Sequence, residues 1–320
     1  MFAARGLAVS FSVFLIVYCA LSLAICFTWR KVWLHCQKHP VRRIADFLFA
    51  LRMFPLVTAA VITAAFTVPS FLLLEPRAID EPMGEIPLVL GLCGAVLGLF
   101  GLVNAALALR KASRAISTWT NAAQPVDTCS PVPVLRIPRS LPAMTATGIV
   151  RPRVLMSGVA EFLLTANELQ TALNHEVAHV RRRDNLKKLL LRFVAFPGMS
   201  PLETAWLEAT EMAADDAAVS NAGEALDLAA ALIKLSRLGP VEAPVDLTAA
   251  LVHSPASVMN ARVERLVAWT EKRRVPPQTH SSPSRLAYGL GAALATVAVF
   301  AVTYSHLLVH VHTATEWLVR

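Results

Sequence analysis

The sequence predicts a mainly α-helical membrane protein, with four transmembrane helices and one polar α+β domain that contains a small antiparallel sheet. The 320 residues are 55% hydrophobic and only 16% charged, a balance typical of a membrane protein that also carries a polar domain. Four apolar stretches reach the length of about 20 residues that a helix needs to cross a bilayer. These stretches are residues 7–27, 54–74, 86–109 and 286–309.

The distribution of charge predicts the orientation of these spans. Lys and Arg residues cluster between spans one and two, directly after span three and directly before span four. The loop between spans two and three is acidic instead, with Glu75, Asp80, Glu81 and Glu85. Because Lys and Arg accumulate on the cytoplasmic side, we expect both termini outside and the long segment 110–285 in the cytoplasm.

The segment 110–285 is the only sizeable polar region between predicted spans, and Pro-rich linkers bound it. Residues 132–138 and 151–157 have the β-branched alternation of short strands. The predicted organisation is a first span at 1–28, a basic cytoplasmic loop at 29–53, a transmembrane hairpin with a short acidic external loop at 54–109, the cytoplasmic domain at 110–285, a fourth span at 286–310 and a short external tail at 311–320.

Composition also argues against a nucleic-acid-binding function. The net charge is +8, but no basic stripe is interleaved with aromatic residues, so we expect no direct nucleic-acid partner. The five Cys residues form no C-x-x-C pair and no disulfide framework, and their use indicates no function. The oligomeric state does not follow from the sequence.

A His-Glu-x-x-His motif lies in the stretch TALNHEVAHVRRRDN, residues 171–185. Thr165 and Glu168 form a capping-box signature that predicts the start of the helix carrying this motif. His175 and His179 are then one turn apart on the same helix face. Two imidazoles so placed suit one zinc ion, and Glu176 between them can reach a metal-bound water.

A third ligand is expected from the next predicted helix. Glu203 falls in the start signal of that helix, Ser-Pro-Leu-Glu, and therefore has a structural role there. Glu208 and Glu211 remain, and only Glu211 has an acidic residue, Asp215, four positions later. An Asp in that position can accept a hydrogen bond from a ligating His and fix its tautomer. We therefore predict His175, His179 and Glu211 as ligands.

Three protein ligands plus one open position are typical of a catalytic zinc site, whereas structural sites have four protein ligands. Zinc bound there would polarise a peptide carbonyl and lower the pKa of water, and Glu176 would accept a proton and pass it to the leaving amine. The developing oxyanion needs a positive donor, for which His253 and Arg262 are the candidates. Their ordinary alternatives are an exposed histidine in a loop and a charged position on an amphipathic helix.

The residues NHEVAHVRRRDN, EMAADDAAV and TGIVRPRVLMS resemble the membrane metallopeptidases of the BlaR/MecR type, the antirepressor peptidases of β-lactam sensing. These are distant relatives of the HtpX-type and CAAX-processing peptidases. The resemblance covers residues 130–240 and extends to the order of spans and domain. It implies a gluzincin-like fold, one catalytic Zn²⁺ at the three predicted ligands, Glu176 as base, and a location in the bacterial cytoplasmic membrane.

The resemblance also implies partners. The protein substrate would be a cytoplasmic or membrane-associated regulator such as a transcriptional repressor, and it would pair with a sheet edge, for which the strand at 146–150 is the candidate. Sensors of this type carry a penicillin-binding domain with an S-x-x-K nucleophile motif, and no Ser in this chain has a Lys three residues later. We therefore expect the signal to enter through the acidic loop 75–86, the spans or a partner protein that acts as sensor.

Two other functions remain open from the sequence. An HtpX-like quality-control protease would share the motif and the spans but would cut many misfolded membrane proteins. A receptor or scaffold would keep the zinc fold without proteolysis, although the intact Glu176 argues against this because a binding-only module needs no base.

Three histidines lie near the end of span four, at His306, His310 and His312. The spacing of His306 and His310 suits a second metal site. The alternative is a set of interfacial anchors beside Tyr304.

Overall fold

The computed structural model describes residues 2–36, 39–76, 84–128, 130–138, 143–194, 196–238, 247, 249–250, 256–269 and 303–317. The helices are α1 Phe2–Cys36, α2 Val41–Ile62, α3 Val68–Leu74, α4 Glu85–Thr120, α5 Gly158–Leu163, α6 Ala166–Arg181, α7 Asp184–Phe193, α8 Ser200–Ala218, α9 Ala222–Ser236, α10 Ala256–Trp269 and α11 303–317. The strands are β1 Gln124–Val126, β2 Val134–Ile137, β3 Met144–Thr147, β4 Arg153–Ser157 and β5 Ala249–Ala250.

Within these residues, three helical stretches are long and apolar enough to cross a membrane. They are Phe2–Leu34, Val41–Leu74 and Glu85–Thr120, and they coincide with the first three predicted spans. Most of the fourth predicted span, at 286–310, lies outside the described residues, and only its last part falls in α11. The described helices therefore support a membrane protein.

The chain divides into two compact units, and the first consists of Met1–Phe27, Phe54–Leu99 and Arg274–Arg320. In this unit α1 and α4 approach closely, because a Cβ atom added to Gly91 would lie only 2.8 Å from the carbonyl oxygen of Ala8. Residues Thr63–Thr67 form a short π-helix between α2 and α3. The hydroxyl of Tyr304 on α11 donates to the carbonyl of Ala65 inside this π segment at 2.6 Å.

The second unit consists of Thr28–Met53 and Phe100–Arg273 and contains the sheet. The strand order is β1-β2-β4-β3-β5. The strands predicted at 132–138 and 151–157 are confirmed as β2 and β4, but the prediction of an antiparallel sheet is wrong. The sheet is mixed, because β2 and β4 pair in parallel while the other pairs are antiparallel. The hairpin of β3 and β4 folds back so that β4, not β3, lies beside β2.

The strand predicted as a substrate-binding edge also differs from the structure. It spans Met144–Thr147 rather than 146–150, and it is paired on both sides. Its second partner is β5, through Thr145 opposite Ala250 and Ala146 opposite Ala249. In the described part of the sheet the edges are therefore β1 and β5, and β3 lies inside.

The apolar core of this unit lies between the sheet and helices α6, α9 and α10. The capping box that begins α6 is confirmed, because the Glu168 amide donates to Thr165 Oγ1 and the Thr165 amide donates to Glu168 Oε2. The buried face of α6 includes Ala172, Leu173 and Val177. Packing of α6 against α8 brings the motif face of one helix against the acidic face of the other.

The part of α2 that belongs to the second unit packs on α7 and α8. Arg52 is 1% exposed, and its Nε donates to Glu203 Oε1 at 3.0 Å while its Nη2 donates to the Val194 carbonyl. One turn earlier, the Phe49 ring lies 6.0 Å from the Trp206 ring. The contacts hold the first turns of α8 against α2.

Candidate metal centre

Helix α6 places the three motif residues in the interior of the second unit. His175 and Glu176 are fully buried and His179 is 2% exposed. The N-terminal cap fixes the first turn of this helix, and its apolar face packs in the core, so the polar motif is held on a rigid element. Burial of such groups is costly unless they are paired or bind a metal.

Helix α8 brings Glu211 to the same point. The Nε2 atoms of His175 and His179 are 3.1 Å apart, and each lies 3.6 Å from one carboxylate oxygen of Glu211. Among the described residues these three form a group whose ligand atoms all lie within 4.8 Å of one another. Glu208, the alternative on the same helix, is not in that group.

The donor set fits a metal ion. Atoms that are each 2.0–2.2 Å from one tetrahedral zinc ion lie about 3.3–3.6 Å from one another, close to the separations seen here. Within the described part of the chain, Glu176 Oε1 is buried without a hydrogen-bond partner, and Glu211 Oε2 also has none but lies 3.2 Å from Arg262 Nη1. Two imidazoles and a carboxylate at these separations could therefore hold a divalent cation.

Asp215, one turn beyond Glu211, lies beside the other nitrogen of His175. Its Oδ1 is 2.9 Å from His175 Nδ1. A carboxylate at Nδ1 holds the proton there and leaves Nε2 free as a ligand.

Asp184 has the corresponding position for the second histidine. Its Oδ2 lies 2.8 Å from His179 Nδ1, and the Asp184 side chain is fully buried. The turn between α6 and α7 makes this contact, because Arg183 has a left-handed backbone with φ of 55°. Each histidine of the motif thus has its own carboxylate.

Arg262 on α10 joins the two carboxylates of α8. Its Nε and Nη2 donate to Asp215 at 2.8 and 2.7 Å, and its Nη1 lies 3.2 Å from Glu211 Oε2. The side chain is fully buried. A bidentate guanidinium of this kind fixes the orientation of a carboxylate.

Glu176 faces β3. Its Oε2 accepts a hydrogen bond of 2.6 Å from the Ala146 amide, and burial raises the pKa of its carboxyl group. A raised pKa brings a carboxylate closer to the range in which a general base works at neutral pH. Asn185 supports the same strand, because its Nδ2 donates to the carbonyl of Ala146 at 3.1 Å.

Burial and neighbouring charges shift the pKa values of the other titratable groups in opposite directions. Burial lowers the pKa of His175, but contacts with Asp215 and Glu211 outweigh it and raise the pKa to about 9. Burial raises the pKa of Glu211, but the neighbouring His179, His175 and Arg262 lower it to about 2. The pKa of Asp215 lies well below its usual range, chiefly because Arg262 outweighs its burial. Without a metal, the cluster is therefore an ion-paired network.

A cavity of about 310 Å³ adjoins the cluster. Its lining includes Gly148, Pro152, His179, Asp184 and Asn185. The cavity places open space beside one of the two motif histidines.

The structure brings together most of the predicted site residues: His175, Glu176, His179, Glu211, Asp215 and Arg262. His253 lies outside the described residues. From the sequence, Asp184 is predicted to have a local role, in capping or in pairing with Arg, with a contact to a ligating residue as the alternative, and no site role is predicted for Asn185. The signal available for both was their position directly after the motif helix.

Comparison with known proteins identifies the family of the chain. A family model described as BlaR1 peptidase M56 matches residues 15–266 of the 320-residue chain. The matched segment includes all six of the residues that meet at the cluster. None of the curated proteins compared with the chain matches it.

Proposed function

The chain belongs to the BlaR1 peptidase M56 family, and from this premise we propose that it is a zinc-dependent membrane endopeptidase. The observation that carries the proposal is the convergence of three ligand atoms, from His175, His179 and Glu211, beside the buried carboxylate of Glu176. Zinc is favoured over harder cations because two of the three ligands are imidazoles.

The residues of the metal centre have separate roles in the proposed reaction. Zinc, when bound, supplies Lewis-acid chemistry at the scissile carbonyl and lowers the pKa of water. Glu176 accepts a proton at its unpartnered Oε1 and returns it to the leaving amine. Asp215 and Asp184 hold the protons on His175 and His179 at Nδ1.

The role of Arg262 in this proposal is to position Asp215 and Glu211. Two of its donor nitrogens already bind Asp215, and the third lies beside Glu211. The sequence predicts Arg262 and His253 as candidates for direct stabilisation of the oxyanion. For Arg262, that role would require Nη1 to turn away from Glu211.

We further propose that the peptidase domain, at 110–285, faces the cytoplasm and that four spans anchor the chain. The Lys and Arg pattern supports this topology. The substrate would then be a cytoplasmic or membrane-associated protein, and we favour a regulator such as a transcriptional repressor.

The test is metal content and proteolysis of the full chain in detergent. Glu176→Gln should keep its zinc and lose proteolysis by at least about a hundredfold, because removal of a general base costs that much. Glu211→Ala should hold one equivalent of zinc less than wild type and should lose proteolysis. Glu208→Ala changes a carboxylate of the same helix that is outside the cluster, and it should change neither.

Four outcomes would contradict parts of the proposal. Retention of the full wild-type zinc content by Glu211→Ala would reject the ligand assignment, and full activity of Glu176→Gln would reject the base. Zinc binding without cleavage of any protein tested, including the chain itself, would favour a receptor or scaffold. Cleavage of many unrelated misfolded membrane proteins would favour quality control.

A further inference from the structure

A second group of ligand-type side chains lies in the first unit, far along the sequence from the motif. Glu75 follows the last residue of α3, and His312 and Glu316 are one turn apart on α11. Among the described residues, these three and the motif cluster are the groups whose ligand atoms all lie within 4.8 Å of one another. Glu75 is not a predicted ligand, and the predicted histidine pair at His306 and His310 is not in the group.

The separations in this group resemble those of the motif cluster. His312 Nε2 lies 3.4 Å from Glu316 Oε1 and 3.8 Å from Glu75 Oε2. Charge-assisted hydrogen bonds are shorter, at about 2.7–2.9 Å. Two ligands of one tetrahedral ion are expected about 3.3–3.6 Å apart, which is nearer to both values. A single nitrogen thus faces two carboxylates across gaps that suit an intervening cation.

The surroundings of the group also resemble those of the motif cluster. Arg5 Nη1 holds Glu75 Oε1 at 3.0 Å, which leaves Oε2 directed towards His312. In the motif cluster Arg262 holds the carboxylates of α8 in the same manner. The side chains of Glu75 and His312 are only 8% and 15% exposed, so both polar groups are largely removed from water.

We propose that Glu75, His312 and Glu316 form a second metal site, which binds a divalent transition-metal ion such as Zn²⁺ and cross-links the end of α3 to α11. One imidazole with two carboxylates suits zinc and its neighbours in the first transition row. Water would complete the coordination, since Glu316 is 42% exposed. The Lys and Arg pattern predicts that this end of the helices is external, so the ion would come from outside the cell.

Zinc stoichiometry of the detergent-purified full chain, equilibrated with buffered free zinc and then desalted, tests this site. Wild type should retain two equivalents, and His312→Ala and Glu316→Gln should each retain one. His306→Ala and His310→Ala are matched controls, because both are exposed histidines of the same helix, and both should retain two.

A second background separates this site from the motif. The double variant His175→Ala/His179→Ala should retain one equivalent, and addition of His312→Ala should remove it. Glu316→Gln is the variant least able to disturb packing, because Glu316 is the most exposed of the three. A His175→Ala/His179→Ala variant that retains no zinc, or a second equivalent that survives both His312→Ala and Glu316→Gln, would overturn the proposal. Loss of the second equivalent in His306→Ala would also overturn it.

Discussion

Asp184 acts on the metal centre through His179, which makes it a positioning residue whose effect can be measured. Asp184→Asn removes the charge that holds the proton on His179 Nδ1, while the size of the side chain is kept. Such changes weaken metal binding by about 10–100-fold. We expect the zinc affinity of Asp184→Asn to fall by this factor, as measured by competition with a chromophoric chelator.

Asp216→Asn is the matched control for this prediction. Asp216 is another carboxylate of the second unit and is partly buried, but it pairs with Arg265 at 2.6 Å rather than with a motif histidine. Its substitution should leave the zinc affinity unchanged. Equal losses in Asp184→Asn and Asp216→Asn would mean that general destabilisation, and not histidine orientation, explains the effect.

Arg262→Ala should be among the most destabilising changes in the second unit. It would leave Asp215 buried without its bidentate partner, a loss of about 3–5 kcal/mol in the free energy of unfolding. Thermal unfolding in detergent, with and without zinc, checks this. Arg265→Ala removes a partly exposed guanidinium, so it should cost much less. The prediction fails if the two variants unfold at the same temperature.

Spacing along helices was sufficient to predict that Glu211 and Asp215 lie on one face of α8, since residues four apart share a helix face. The contact of Arg262 with Asp215 spans 47 positions and could not be read from spacing. Asp184 lies only five positions from His179, but its contact depends on a left-handed turn at Arg183. Nothing in an arginine signals that conformation, which is more usual for glycine or asparagine.

At the scale of single elements, Glu168 connects the start of α6 to α9. Burial raises the pKa of Glu168, but the hydrogen bonds from Lys234 and from the Thr165 amide outweigh it, so the pKa lies below its ordinary value of 4.5. A lowered pKa in the folded state stabilises the fold above pH 4.5, and this contribution is lost as the pH falls through the folded value. Glu168 therefore lowers the free energy of unfolding as the solution becomes acidic.

Glu168→Gln tests this dependence. The variant should be less stable than wild type at neutral pH, by about 0.5–1 kcal/mol, because a charge at the helix N-terminus is lost. The difference should shrink in acid, since the wild-type carboxylate is then protonated. Thermal unfolding at neutral and acidic pH measures it. A difference of the same size at both pH values would contradict the assignment.

The mixed sheet illustrates what element-scale patterns leave out. Alternation of apolar residues predicted β2 and β4 because it reports which side chains are buried. It does not report strand direction, and the parallel pairing of Val134 with Val154 depends on where the β3–β4 hairpin folds. The two-residue strand β5 is too short to carry any alternation.

At the scale of the whole molecule, α2 contributes residues to both compact units. Arg52 ties its second-unit part to the start of α8, the helix that carries Glu211. A double-mutant cycle with Arg52→Gln and Glu203→Gln should give a coupling free energy of about 1.5 kcal/mol, at the low end for a charged hydrogen bond because Glu203 is 33% exposed.

Asp46→Asn is the control for this cycle. Asp46 lies on the same helix and pairs with Lys187 at 3.2 Å, but its side chain is 54% exposed. An exposed pair of this kind should contribute less than about 1 kcal/mol. A coupling energy between Arg52 and Glu203 no larger than that of the exposed pair would show that the buried contact does not hold α8 against α2.

Hydropathy was sufficient to place the first three membrane helices, since their length and apolar composition are local properties of the chain. The π segment at Thr63–Thr67 was not predictable, because its residues, TAAFT, are as suitable for an ordinary helix.

That π segment determines how α3 is rotated about the helix axis relative to α2. A π turn holds one residue more than an α turn, and each residue of an α-helix advances the helix by about 100°. Deletion of one residue within Thr63–Thr67 would therefore rotate α3 by that angle relative to α2 and carry Glu75 away from Arg5 and His312. The extra residue therefore fixes the rotation of α3 about the helix axis, and with it the side of the helix on which Glu75 lies.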